Sequence, residues 1–275
     1  MRLLAPAQPA SVLLGPGAAD AVLPWDGHEV AALLAGTATS GPVARALDEA
    51  DAVIAYSRSA PLVEALAARA RQVIHQDPSP PATGPHAALW LARAVAPLLG
   101  GCPAQARDQD LLELTEEERR HAEAATRDMP GGFVAVHPGS GSPAKNWPLT
   151  RFVDAARALA GGHRWLLVAG PAERDMAMPP DAVLARDFPL RLLGASLARA
   201  AVFLGNDAGV SHLAAAVGAP TLALFGPTDP ALWAPVGPRV KTLRAPGGSL
   251  VDLELEAVLA AARALRSAAS GPPSG

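Results

Sequence analysis

The sequence predicts an α/β protein in two domains, and three observations carry that reading. Short, continuously apolar runs of the kind a parallel sheet buries on both faces alternate with helix-like stretches along most of the chain. The chain has 275 residues, long for one compact domain and comfortable for two. Half of the residues are hydrophobic, enough to bury a sizeable core in each half.

In the first half, RLLAP (2–6) reads as a short strand, and a looser alternation follows around residues 19–25. ADAVIAY (50–56) is a buried-strand run, followed by the helical SAPLVEALAARA (59–70), where Pro61 suits a first turn. RQVIHQ (71–76) is another strand, and DPSPPATGP (77–85) is a loop by composition. HAALWLARAVAPLLGG (86–101) is helical until Pro97, with Gly100 and Gly101 as its stop. Residues 101–114 read as a connection. Thr115 and Glu118 then stand at capping-box spacing and open a polar helix over 114–128.

From Gly132 the signals strengthen. FVAV (133–136), RWLLVAG (164–170), AAVFLGN (200–206) and PTLALFG (220–226) read as strands. The helices between them are LTRFVDAARALAGG (149–162) and AGVSHLAAAVG (208–218), both ended by glycine. A last helix spans 250–268, before a Gly/Pro/Ser tail that composition marks as disordered. The boundaries drawn from this are a first domain over 1–100, a connector with its helix over 101–130, a second domain over 131–250, and the final helix and tail over 251–275.

Several function classes are excluded by composition. With a net charge of −3, nothing suggests a nucleic-acid binder, which would need a basic face. Cys102 is the single cysteine, so an internal disulfide is impossible and a cysteine-based metal site is not expected. No apolar run is long enough to span a bilayer. The start, MRLLAPAQPASVLLGPGAADA, faintly imitates a signal peptide, but Pro6, Pro9 and Pro16 break its apolar stretch. A cytoplasmic location is the expectation.

Ligands of open α/β sheets sit outside the carboxyl ends of the strands, so the residues following each strand matter most. VHPGSGSPAKNWP (136–148) looks at first like a phosphate loop, but Lys145 is followed by Asn146 where a nucleoside-triphosphate loop needs Ser or Thr. Gly170-Pro171-Ala172-Glu173 follows the next strand, then Asn206-Asp207-Ala208-Gly209 with Ser211 and His212, then Gly226-Pro227-Thr228-Asp229-Pro230 and Trp233. This collection suits a diphosphate. Gly209 lets backbone approach closely, and the amides of the helix start attract anions. Lys145 adds a point charge and Ser140 a hydroxyl donor. Glu173 suits the two hydroxyls of a ribose. Asp207 could cap the helix and hold neighbouring loops. Each position also has a plainer reading: Asp207 as an N-cap, Gly139 as a turn, His212 as a helix-start histidine, and Thr228 or Asp229 as the cap of a helix beginning at Pro230.

These blocks resemble glycosyltransferase family nine, the bacterial heptosyltransferases of lipopolysaccharide core synthesis. HPGSGSPAKNWP is similar to the family's HPG…K-x-WP block. FLGNDAGVSHLAAAVGAPTLALFGPTDPALWAP (203–235) is similar to its GND-T/S-G-x-x-HLAAA…LFGPTDP…W-P signature. The resemblance implies a GT-B architecture: two Rossmann-like domains with parallel sheets facing a cleft, an acceptor-side first domain and a second that binds the nucleotide sugar. It implies an ADP-heptose-like donor and inverting transfer to a lipid-linked saccharide acceptor at the inner membrane surface, with peripheral membrane contact and without a metal or cofactor. Ser140 and Lys145 would then face the phosphates and donor sugar, with Lys145 supporting the leaving group, and Glu173 the ribose. Asp207, Ala208, Gly209 and His212 would form the diphosphate site.

The sequence departs from the family in three places. Position 208 is alanine where relatives carry Thr or Ser, which removes a hydroxyl from the phosphate site. The stretch 190–207 looks shorter than in relatives. Relatives also begin with a strand, a Gly-Asp loop and a helix before a segment like the one that starts this sequence. One strand–loop–helix unit, central in its sheet, is therefore expected to be missing, leaving the first domain incomplete. A misplaced start codon or a shortened sequence accounts for this more simply than an evolved deletion. That loop supplies the family's presumed general base, which inverting transfer needs, so the base is unknown here. Asp20, Asp26 and His28 are substitutes by chemistry only. The alternatives are a non-catalytic or impaired sugar-nucleotide binder and a sugar-nucleotide epimerase.

Overall fold

The computed structural model describes residues 1–15, 18–37, 40–101, 111–170, 173, 176 and 178–269. Cys102, most of the connection before residue 114, Pro171, Ala172 and the tail from residue 270 lie outside them. The chain forms two compact units, Met1–Gln105 and Ala106–Gly275.

The first unit runs β1 (Arg2–Ala5), α1 (Ala7–Ala10), β2 (Ala21–Pro24), α2 (His28–Leu34), α3 (Pro42–Glu49), β3 (Val53–Tyr56), α4 (Ala60–Ala67), β4 (Val73–Gln76), α5 (Ala87–Ala92) and α6 (Ala96–Leu99). The long helix expected from residue 86 is thus two short ones, with Pro97 inside the first turn of the second. β1 pairs with β2 and β3 with β4, both in parallel. Leu4, Leu23, Val53 and Val73 of these strands pack against one cluster formed by Leu33, Val43, Leu47, Ala55, Leu62 and Leu66. One apolar layer therefore unites the strand pairs, but no hydrogen-bonded ladder joins them among the described residues. Apart from Ala55, every residue of these strands is half-buried or exposed.

The second unit runs α7 (Glu116–Ala125), β5 (Val134–His137), α8 (Leu149–Ala160), β6 (Trp165–Ala169), β7 (Ala182–Arg186), α9 (Leu190–Leu197), β8 (Val202–Asn206), α10 (Gly209–Ala216), β9 (Thr221–Phe225), α11 (Pro230–Trp233), β10 (Val240–Arg244) and α12 (Leu255–Ala269). α7 begins with the expected capping box, Thr115 and Glu118 each accepting the other's backbone N–H. Gly161, in the left-handed region at φ 60°, ends α8.

Six parallel strands lie in the order β10-β9-β8-β5-β6-β7. All residues of β5, β6, β8 and β9 are buried, as strands covered on both faces must be. One face packs on α8 and α12 through Val136, Trp147, Phe152, Leu167, Leu204, Leu224 and Val258. The edge strands β7 and β10 are only partly buried and lack the continuous apolar run that marks the other four.

The chain leaves β5 toward β6 and β7, then crosses back to place β8 on the other side of β5. The carboxyl ends of β5 and β8 therefore border a topological switch point, the place where open α/β sheets bind ligands.

Candidate functional site

Two loops meet at this switch point, and a buried asparagine joins them. Asn206, the last residue of β8, is fully buried. Its Nδ2 donates to the Pro138 carbonyl at 2.7 Å, and its Oδ1 accepts the Trp147 backbone N–H at 3.1 Å. The loop leaving β5 is thus tied at both ends to the end of β8. Trp147, 1% exposed, anchors it further by donating Nε1–H to the Leu253 carbonyl at 2.9 Å and meeting Phe152 edge-on.

So held, the loop delivers Lys145 to Asp207. The ammonium donates to the Asp207 carboxylate at 3.0 Å and to the Asp207 carbonyl at 3.1 Å. Thr228, on the loop after β9, donates its hydroxyl to the same carboxylate oxygen at 2.9 Å. Three strand ends are joined in one cluster. Asp207 does not cap α10: the N-cap is Ala208, and among the described residues no side-chain cap hydrogen bond serves the helix start. Of the first amides of α10, that of Ser211 donates to the Ala208 carbonyl at 3.0 Å, and a helix start without a capping side chain is one that can accept an anion. Gly209 opens the helix, and beyond its own helix and chain neighbours no atom of the described residues lies within 4 Å of where a Cβ would be, so no packing contact among them demands glycine there. His212 is exposed on the same helix.

Glu173 lies at the carboxyl ends of β5 and β6. Its carboxylate accepts the Gly170 N–H at 2.8 Å and covers Gly139 so closely that a Cβ there would overlap it. His137 sits beneath. Burial pushes its pKa down, against the pull of the Val168 carbonyl and of Glu173, and holds the ring neutral at physiological pH. Val168 O can only accept, so Nδ1, 3.1 Å away, carries the hydrogen.

Ser140 turns its hydroxyl into its own loop, toward the Ser142 carbonyl at 2.8 Å and Asn146 Oδ1 at 2.6 Å. Asp229 caps α11 by accepting the Ala231 N–H, as the plainer reading expects. Asp20 and His28 are in the first unit, where Asp20 pairs with the N-terminal amine and His28 is the first residue of α2. Among the described residues, no three His, Cys, Asp or Glu cluster in a way that could hold a metal ion, and no helix is long and apolar enough to cross a membrane.

Sequence reasoning named Lys145, Asp207 and Gly209 as neighbours, and the fold brings them together. It missed the bridging Asn206 and the role of Thr228. A polar residue closing the fully apolar run VFLGN was the available signal for the first; nothing in the sequence distinguishes Thr228 from a turn residue.

Comparison with known proteins identifies the family. The family model for glycosyltransferase family 9 (heptosyltransferase) matches residues 18–260. A lipopolysaccharide heptosyltransferase 3 of Escherichia coli is 33% identical over 114 residues, 38% of this chain and 34% of that protein, so the match spans about a third of the curated relative's length. Among solved structures, the glycosyl transferase family 9 protein from Veillonella parvula DSM 2008 superposes with a TM-score of 0.77 at 20% identity, over 97% of this chain and 88% of that one. The E. coli ADP-heptose lps heptosyltransferase II superposes with a TM-score of 0.72 at 18% identity, over 98% and 90%. These likenesses give the chain their α/β fold.

Proposed function

Because the chain belongs to glycosyltransferase family 9, the heptosyltransferases, we propose that it transfers a heptose or related sugar from an ADP-sugar to a lipid-linked acceptor of the lipopolysaccharide core type, with inversion. The observation that carries this reading is the meeting of Lys145 with the start of α10 across the β5/β8 switch point. A diphosphate there lies against the α10 amides, whose dipole contributes about 0.3–1 kcal/mol toward an anion. Glu173, beside Gly139 and Gly170, accepts from the ribose hydroxyls.

In the reaction an acceptor hydroxyl oxygen attacks the anomeric carbon from the face opposite the diphosphate. The carbon–oxygen bond to the diphosphate breaks, ADP departs, and the hydroxyl proton passes to a general base. Lys145 offsets the charge that develops on the departing phosphate. The ADP-sugar enters as substrate, and the mechanism calls on no cofactor or metal. The acceptor places the protein at the cytoplasmic face of the inner membrane.

The test is incubation with ADP-heptose and a core-truncated lipopolysaccharide, with the products resolved by mass spectrometry. Heptose addition that Lys145→Ala reduces by about a hundredfold or more, the scale of removing one leaving-group stabiliser, is expected. Neither transfer nor donor hydrolysis by the unaltered protein would reject the proposal. ADP binding without either product would instead mark a sugar-nucleotide binder.

A further inference from the structure

The contact between Lys145 and Asp207 raises a difficulty for the proposed site. Their side chains are only 25% and 11% exposed, so the pair is little screened by water. A carboxylate 3.0 Å from the ammonium competes with a diphosphate for the same positive charge. Lys145 has three N–H donors; two are directed at Asp207, and the third has no protein partner among the described residues. The lysine is thus engaged through two of its three donors, and the same carboxylate oxygen has a second donor, Thr228.

Resting on the functional reading above, we propose that Thr228 is a positioning residue for donor binding: its hydroxyl holds the Asp207 carboxylate so that Lys145 can be shared with the donor's diphosphate. The geometry gives the hydroxyl two effects. It draws electron density from Oδ2 and weakens that oxygen's hold on the ammonium, since an acceptor serving two donors bonds each less strongly. It also keeps the carboxylate hydrogen-bonded when an ammonium N–H turns to phosphate, so that ligand binding does not strand a charge at an 11% exposed site. Asp207 itself is fixed from behind, its backbone N–H donating to the Leu224 carbonyl of β9 at 3.0 Å. Thr228 emerges from the end of that same strand, after Phe225. β9 thus fixes the Asp207 backbone directly and starts the short loop that carries the hydroxyl three residues beyond its end.

The test uses ADP as probe, calorimetry as readout and the full chain. Thr228→Val removes the hydroxyl at nearly constant volume. The expected result is a Kd for ADP raised roughly tenfold, the scale of losing part of a hydrogen bond to a charged group. Thr228→Ser, which keeps the hydroxyl, is expected to bind within about twofold of the unaltered protein, on the same scale. A purely structural role is separated by a second background. In Lys145→Met, adding Thr228→Val is expected to change the ADP affinity no further, because the threonine acts through the lysine. Should the valine variant fail to fold, Thr228→Ala takes its place in both backgrounds. Unchanged affinity in the single variant, no rescue by serine, or an equal loss in the Lys145→Met background would each overturn the proposal while leaving the functional reading in place. No ADP binding by the unaltered protein would overturn both.

Discussion

Replacing Asn206 by leucine should both destabilise the second unit and disable its ligand loops, and the structure sets the size of the effect. The side chain is fully buried and makes two hydrogen bonds, to the Pro138 carbonyl and from the Trp147 N–H. Leucine keeps the branching with bulkier methyl groups and removes both, stranding one carbonyl and one amide in an interior closed by Trp147 and Phe152. Each stranded group costs about 1–3 kcal/mol, so a loss of about 3 kcal/mol is expected for the pair. Urea unfolding followed by tryptophan fluorescence reads the change, because Trp147 and Trp165 are buried in this unit. Asn206→Asp refines the argument. Its ionised carboxylate still accepts from Trp147 but faces the Pro138 carbonyl with a second acceptor, whereas its protonated form can donate there as the amide does. Burial raises the folded-state pKa of such a carboxyl above its unfolded value, so the penalty is present at neutral pH and fades as pH falls through the folded-state pKa. The aspartate variant is therefore expected to approach the unaltered protein on acidification, and the leucine variant is not. A leucine variant within about 0.5 kcal/mol of the unaltered protein, a change typical of an unconstrained surface site, would refute the role given to this side chain.

Three further outcomes follow from the same contacts. Glu118 is held at about 2, from an ordinary 4.5, first by the Arg191 guanidinium and also by the Thr115 amide. That difference corresponds to about 3 kcal/mol at most, and solvent at these partly exposed side chains reduces it to about 1–2. Because the folded value is the lower one, this stability is complete above 4.5 and is lost as pH falls through about 2. Glu118→Gln should therefore lower the urea midpoint at pH 7 and converge with the unaltered protein in acid. His137 is kept neutral by burial, while the unfolded chain takes up a proton below about 6.5. Its contribution to stability declines as pH falls from there toward the lower folded value, and His137→Gln should show a smaller drop in melting temperature between pH 7.5 and 5.5. Gly139→Ala places a methyl where the Glu173 carboxylate lies. It should weaken ADP binding about tenfold by calorimetry, the scale of one hydrogen-bonded contact, with the urea midpoint nearly unchanged.

How much of this was legible in the sequence depended on burial. β5, β6, β8 and β9 are buried along their whole length and were readable as apolar runs. β7 and β10 were not read as strands, because each forms a sheet edge and mixes polar with apolar residues. α2 and α3 were also passed over: α2 buries only Val30 and Leu33, and α3 only Val43, Ala44 and Leu47, too few for a clear period in such short helices. At the site, glycine, lysine and acidic residues at successive strand ends marked the sheet edge where Lys145 and Asp207 meet. The partners within it were not legible, because Asn206 and Thr228 act across 59 and 21 residues of chain, contacts fixed only by strand order. That order also explains why Asp207 is not a helix cap: the arrival of Lys145 from β5 gives its carboxylate a stronger partner than the α10 amides.

The claim on which the account rests is that a sugar diphosphate is held at the β5/β8 switch point. Hydrogen exchange of the full chain with and without ADP tests it directly. Slowed exchange is expected in residues 137–147 and 206–212 and around Gly170 and Thr228, with protection around Asp207 lost in Lys145→Ala. Protection confined to other parts of the chain, or none at saturating ADP, would contradict it.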